Sequence, residues 1–492
     1  MKNSNRLFFS LVLVVPLIAD AQTSTDALRY SQTSTAGTAR FTSMGGAFGA
    51  LGGDFSALSW NPAGIAIYRK SEFTFTPSLY LNNTTSAFMN NSISSNKYNF
   101  NFGNLGFVYT RMLSQNDDPT GWKNWNFGIG INRMNNFHSS TVYQGINPNN
   151  SMLDYFVEHA NGTTPENLDP FYENLPYWTY LINPDTLNPV PNSYNSAIPY
   201  GGELQRRTSV TKGAITELVF SFGANYGNKL YFGGTVGFDF LRYVEKTKYE
   251  ESDPFQNIPT DFNGFSFNQS LTTIGAGINL KLGMIYRASD WARVGFAFHT
   301  PTFYSMTDDY SNSMESSFDN GDHYTKDSPQ GAYDYNLTTP MRAIGSIAFI
   351  IGKMGLVSAD YEFVDYSAAS FDASDNSFFD ANDAIQKKYT TAGNLKVGTE
   401  WRYENFSFRG GYAMYGTPLS APFQVSGSDM SRNCYSLGLG IRDQDYFIDF
   451  GYVLSQGTDY FYPYTLSYPQ KVPVVQNKVN THNFTVTFGI KF

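Results

Sequence analysis

With 492 residues and one cysteine, Cys434, the chain cannot build a disulfide framework or a cysteine-rich zinc cluster. Its charged fraction, 15%, is low for a soluble protein of this length, and its aromatic fraction, 17%, is high. The formal net charge is −9 and the basic residues do not cluster, which argues against nucleic acid as a partner.

At the start, Lys2 and Arg6 precede an apolar run from Leu7 to Ile18, and Ala19-Asp20-Ala21 fits the small-x-small cleavage rule. A signal peptide over 1–21 is expected, with Gln22 as the first mature residue. The apolar run is too short to span a bilayer, and no later segment is long and apolar enough to be a transmembrane helix. An exported chain of this kind is integral to a membrane only as a closed barrel. No cysteine follows the cleavage site, which excludes a lipoprotein.

Residues 22–70 have their own texture. They are rich in Gly and Ala, with Gly45, Gly46, Gly49, Gly52 and Gly53 followed by Asp54, and they close on Asn61-Pro62-Ala63. No period of two runs through them, so they are expected to form a plug packed inside the remainder of the chain.

From Glu72 the chain alternates. Phe73, Phe75, Leu79 and Leu81 oppose Glu72, Thr74, Thr76 and Ser78. Leu230, Phe232, Val236, Phe238 and Phe240 oppose Tyr231, Thr235 and Asp239, and Ile274 to Tyr286 repeats the scheme. About fourteen such segments occur between 72 and 492, and long connections alternate with short ones. The expected fold is all-β, a transmembrane antiparallel barrel over 71–492 with the N-terminal segment in its lumen, sited in the outer membrane of a Gram-negative cell. The long connections are expected outside, the longest at 135–213. The last strand, Asn483 to Phe492, alternates without error and ends on an aromatic, as in strands that outer-membrane assembly machinery recognises.

On the polar parity lie Glu72, Glu217, Asp239, Asp360, Glu362, Glu400 and Asp449, against Lys281, Arg293, Arg342, Lys396, Arg402, Arg409, Arg442 and Lys491. A wide ion-selective pore favours a ring of one sign. Balanced signs instead suggest networks across a filled lumen. In 135–213, Met152, Tyr155, Phe156 and His159 have helical spacing, and Tyr177, Trp178 and Leu181 come next in an aromatic stretch. Apolar side chains in an outside loop either pack on other loops or cradle an apolar ligand.

The Met44–Ala63 text, with Asp54 and Asn61-Pro62-Ala63 before the first strand, about fourteen strands and a terminal Phe492, resembles the OmpP1/FadL/TodX family of outer-membrane transporters for hydrophobic compounds. The resemblance implies a hatch inside a fourteen-stranded barrel and passive uptake of long-chain fatty acids or aromatic hydrocarbons. Loop capture is followed by a lumen pocket, a hatch shift and exit through the barrel wall. It makes Asn61, Pro62 and Ala63 the hatch anchor. It makes the outer-membrane bilayer, a hydrophobic small molecule and the barrel assembly machinery the partners. The parity slip between Phe100/Phe102 and Leu105/Phe107, around Gly103, Asn104 and Gly106, reads as a β-bulge that kinks the second strand into a lateral gate.

No segment reads as an active site. There is no phosphate loop and no Gly-x-Ser-x-Gly elbow, and His138, His159, His299, His323 and His482 lack metal-type spacing. The expectation is a non-enzyme without cofactor or metal. Rival readings on the same fold are a haem-binding surface receptor, through His159 or His299, and a surface adhesion barrel without transport.

Overall fold

The computed structural model describes residues 23–113, 120–186, 190–198, 201–254, 261–467 and 471–492. The expected signal peptide and its cleavage site lie outside them. Fourteen antiparallel strands form the barrel. In chain order, β1 to β6 are Glu72–Phe88, Asn91–Met112, Trp122–Asn136, Glu203–Tyr226, Leu230–Ser252 and Phe262–Arg287. Strand β7 joins Ala292–His299 to Phe303–Phe318, and β8 joins Gly331–Thr338 to Arg342–Ile351. The remaining strands, β9 to β14, are Gly355–Asp365, Thr391–Tyr403, Phe406–Tyr415, Arg432–Arg442, Tyr446–Phe461 and Val475–Lys491. The barrel closes where β1 pairs with β14, from Glu72 opposite Lys491 to Ala87 opposite Gln476. The breaks in β7 and β8 coincide with Pro301 and Pro340, which cannot donate to a ladder.

Alternation sorts the side chains as the sequence predicts. On β5, Phe232, Val236, Phe238 and Phe240 are exposed on the outer wall, and Tyr231, Thr235 and Asp239 are buried inside. On β6, Ile278, Leu280, Leu282 and Met284 are likewise exposed. This apolar band faces lipid; no helix among the described residues is long and apolar enough to cross a membrane. Above Phe240 the outward positions of β5 become Arg242, Lys246 and Lys248, so the membrane-spanning part of that strand ends there.

The strands run further outward than the alternating segments of the sequence. Residues 82–97 form a hairpin, not a loop. They fold around Met89 and Asn90, whose φ of 48° and 64° make the left-handed pair of a tight turn. Residues 244–252 and 303–318 are also strand. Beyond the lipid the outer face is polar, and inward apolar residues such as Phe88, Tyr249 and Met314 are too widely spaced to carry a period of two.

The N-terminal segment fills the lumen. It contains helices α1, Ser24–Ser31, and α2, Ala39–Ser43, and two 3₁₀ turns, Phe55–Ser59 and Pro62–Ile67. Three of these short elements begin at a local capping signal. Thr38 accepts from the Phe41 N–H, Asp54 from Ser56 and Asn61 from Ala63, with Pro62 preset for the first helical position. Outside the membrane, α3 (Met152–Ala160), α4 (Asn174–Trp178) and α5 (Phe379–Lys388) cap the strand extensions.

Candidate functional site: the hatch, its seat and the wall beside it

The inner wall is cut back to receive the hatch. A side chain at Gly233, Gly283, Gly295, Gly398, Gly411 or Gly438 would collide with hatch atoms between Ser43 and Ala63. Lumen-facing glycines therefore sit where the hatch touches the wall, since only hydrogen fits there. On the hatch side, Gly45, Gly46, Gly52 and Gly53 have φ between +60° and +76°, which lets the chain reverse in a narrow space. Gly49 instead presses against Ser346 and Asp360.

Polar bonds then fix the position. The Gly49 N–H and the Trp60 indole N–H both donate to Asp360 Oδ2 at 2.8 Å. Asn61 Nδ2 donates to the Gly49 carbonyl at 2.6 Å and to the Met284 carbonyl of β6 at 3.3 Å, while its Oδ1 accepts from Ala63 N. Asn61 thus ties two hatch turns together and both to the wall. His299 Nε2 is 2.8 Å from the Trp60 carbonyl oxygen, and Lys396 Nζ lies over the Trp60 ring. Asn124, Asn126 and Asn132 of β3 donate to the carbonyls of Ile65, Ala66 and Tyr68 and to Ser59 Oγ.

The opposed charges on the polar parity pair as a network. Hatch residue Arg40 binds Glu400 of β10 at 2.7 Å. Glu400 also holds Arg402 at 2.8 Å and Arg409 at 2.7 Å, and Arg409 continues to Asp449 at 2.7 Å. Arg342 binds Glu362 at 2.5 Å and donates to the Ser31 carbonyl, and Lys281 binds Glu217. Asp54 is bonded within the hatch, to Thr38 Oγ1 at 2.7 Å. A buried ion pair of this kind adds little net stability but is costly to break.

Strand β2 is irregular beside the hatch. Its register on β1 steps from Thr76–Asn104 to Pro77–Phe102, so Gly103 is the extra residue of a bulge. Its ladder with β3 runs from Met112–Asn124 to Asn104–Asn132 and stops. Among the described residues no ladder pair joins β2 above Asn104 to β3. On β3 the register with β4 slips between Arg133 and Asn135. Residues 32–37 of the hatch lie behind this unladdered stretch, which side-chain bonds from Asn99 to Asn136 and His138 bridge: Ser34 N donates to the Met134 carbonyl at 2.9 Å, and a Cβ on Gly103 would stand 2.8 Å from the Gly37 oxygen. A cavity of about 310 Å³ lies there, lined by Gly37, Tyr80, Asn101, Gly103, Phe137 and Tyr415 among others. Asn104, buried, accepts from Thr74 and donates to Asn132 Oδ1 at 2.8 Å; Gly106 leaves room for the Phe55 ring. On the outer surface Phe100 and Phe102 are exposed.

The residues expected in ligand capture are elsewhere. Met152, Phe156 and Leu181 are buried in the outer cap with Leu153, Leu175 and the strand residues Tyr249, Phe265 and Phe267. Tyr155 and Tyr177 are partly buried against the same cluster, and Trp178 is exposed beside Lys326. The apolar side chains of this segment pack loop on loop and on the strand extensions, with Trp178 left at the surface. His159 Nδ1 is taken up by the Tyr155 carbonyl at 2.8 Å, far from His299 under the hatch. Among the described residues no three His, Cys, Asp or Glu are grouped to hold a metal ion.

Sequence reasoning does not single out Trp60, Asp360, Glu400 or the seat glycines as a site. Parity marks the strand residues among them as lumen-facing, but their partners are hundreds of residues away.

No protein-family model and no curated protein sequence matches the chain. Solved structures do. The Pseudomonas putida toluene transporter TodX superposes with a TM-score of 0.54 at 13% identity, covering 93% of this chain and 99% of that one. A Pseudomonas aeruginosa FadL homologue gives 0.57 at 12% identity, covering 94% and 99%. At such identities the likeness is one of fold, over nearly the whole length of both chains: this chain has the fourteen-stranded barrel fold of the FadL and TodX structures, with its N-terminal segment in the lumen.

Proposed function

We propose that the protein is a passive outer-membrane channel for small hydrophobic molecules of the alkyl or single-ring aromatic kind, and not an enzyme. One observation carries this reading: the β2–β3 ladder ends at Asn104–Asn132, and an internal cavity lies directly behind the opening, walled on its inner side by hatch residues 32–37. A solute in that cavity has a short lateral path to the exposed Phe100 and Phe102 on the lipid face. Apolar transfer to lipid is favourable by about 25 cal/mol per Å² of buried surface, so no energy source is required. Gly103, Asn104 and Gly106 are then the gate, and a displacement of 32–37 opens it. Asn61, Pro62 and Ala63 anchor the rest of the hatch while this stretch moves. The similarity to a toluene transporter and a FadL homologue supports the solute class. The terminal strand ending at Phe492 serves as the assembly signal for the barrel machinery.

The test is uptake of radiolabelled toluene and of a labelled long-chain fatty acid by Gram-negative cells lacking their own hydrophobic-uptake channel. Cells expressing this chain are expected to accumulate at least one of them faster than vector controls. Equal rates for both solutes would refute the reading.

A further inference from the structure

The periplasmic end of the barrel holds a second cavity, of about 600 Å³, on the opposite side of the hatch from the lateral opening. Its floor is made by hatch residues Leu51, Gly52, Gly53 and Ile67, and its wall by the inner ends of β7 to β10, β12 and β14. Five basic side chains line it from the barrel: Arg293, Lys353, Arg402, Arg442 and Lys491. Glu400 is the one carboxylate in the lining, and it already serves Arg40, Arg402 and Arg409. Asp449, just behind, is shared by Arg409 and Arg442, and Glu72 lies 3.5 Å from Lys491. The nearby turn acids Asp290 and Asp445 are bound to Arg287 and Lys70.

Two cations remain without a carboxylate among the described residues. Arg293 donates one bond, to the Leu51 carbonyl at 3.2 Å, and its Nε is buried without a partner. Lys353 sits exposed on the turn between β8 and β9. Between them lie Ile350 and Leu356, continuous with Leu51 and Ile67 of the floor. A cavity with an apolar floor and two uncompensated cations on its rim matches an amphiphilic anion: the head meets the guanidinium and ammonium groups, and the stem covers the apolar floor.

We propose that this inner mouth is a binding site for a carboxylate or phosphate ester carried on an apolar stem, with Arg293 and Lys353 taking the head. The proposal does not rest on the transport reading, because the site lies on the far side of the hatch and requires no passage through it. Two sources present this chemistry, a free organic carboxylate in the periplasm and the headgroup of an anionic phospholipid.

The full chain, in nanodiscs of neutral lipid, is titrated calorimetrically with hexanoate, with inorganic phosphate and with hexanol. Hexanoate is expected to bind saturably and more tightly than phosphate, and any hexanol heat to be the same in wild type and in the variant that removes both cations. In the Arg293→Gln/Lys353→Gln variant the hexanoate affinity falls roughly tenfold or more, a change of about 1.4 kcal/mol or more. Arg293→Lys, which keeps the charge, retains most of it. Unchanged heat-dependent gel migration shows that the variant barrel is folded. Replacing part of the neutral lipid with phosphatidylglycerol separates the sources: lost hexanoate binding assigns the site to lipid headgroups, and unaffected binding assigns it to free carboxylates. Equal hexanoate affinity in wild type and double variant, or no saturable binding in either, overturns the proposal.

Discussion

The hatch in the lumen and the outer cap above it both pack apolar side chains against strands, but they differ in how many directional bonds reach the wall. The hatch is seated by directional bonds to a few wall residues, Asp360, Glu400 and His299, with glycines cut away where hatch meets wall. The cap is held by shared burial of Leu153, Phe156, Leu175, Tyr249 and Phe267, in which no single contact dominates. A polar seat of this kind releases as a unit when a key bond is lost. An apolar cluster degrades gradually as area is lost. If residues 32–37 gate transport, the polar seat is what holds the rest of the hatch in place while they shift.

The contrast is broken most sharply at Glu400. In Glu400→Gln, Arg40, Arg402 and Arg409 lose their common carboxylate, and breaking a buried ion network costs about 3–5 kcal/mol. Hydrogen exchange is expected to show the hatch opening while strand amides stay protected; uniform loss across the barrel would contradict the separation. Next in size, Leu175→Ala is expected to cost the cap about 2–4 kcal/mol with the hatch unaffected, read by proteolysis of 150–198 in intact cells. Asp360→Asn removes the charge from two hydrogen bonds and is expected to loosen Gly49 and Trp60 by about 1–2 kcal/mol, seen as a shift in indole exchange.

The smallest effect is one of pH. Glu251 stands on β5 above its lipid-facing part and accepts from Ser151 Oγ, Met152 N and Tyr249 OH, with no base to pair it among the described residues. Burial outweighs these bonds and pushes its carboxyl up to about 7. A raised carboxyl holds more protons in the folded cap than in the open one. The stabilisation is therefore full below the ordinary carboxyl range, near 4.5, and is lost as pH rises towards 7. Exchange of α3 amides, corrected for intrinsic rates, should quicken over that window in the wild type and not in Glu251→Gln. The same pH slope in both would remove Glu251 as the cause.

Much of this is legible in the sequence, for reasons that also mark its limit. A period of two identifies lipid and lumen faces locally, so Phe238 against Asp239 needs no partner to be read. Asn61-Pro62 carries its own cap and turn, so the hatch reads as non-strand from its own residues. Trp60 and Asp360 are 300 residues apart, and Arg40 and Glu400 are 360 apart, so their pairing has no local trace. The glycine at 283 reads as one more small lumen residue until Asn61 is placed against it. The outer hairpins leave no signal because polar strands beyond lipid have no apolar period.

The most direct test of the lateral path is deletion of Gly103. Removing the extra residue makes Phe100, Phe102, Leu105 and Phe107 one continuous parity and lets β2 keep register with β1. The barrel should assemble with the gel migration of the wild type, and uptake of labelled toluene and fatty acid by channel-deficient cells should fall to the vector level. Wild-type uptake through a barrel without the bulge would contradict the lateral path.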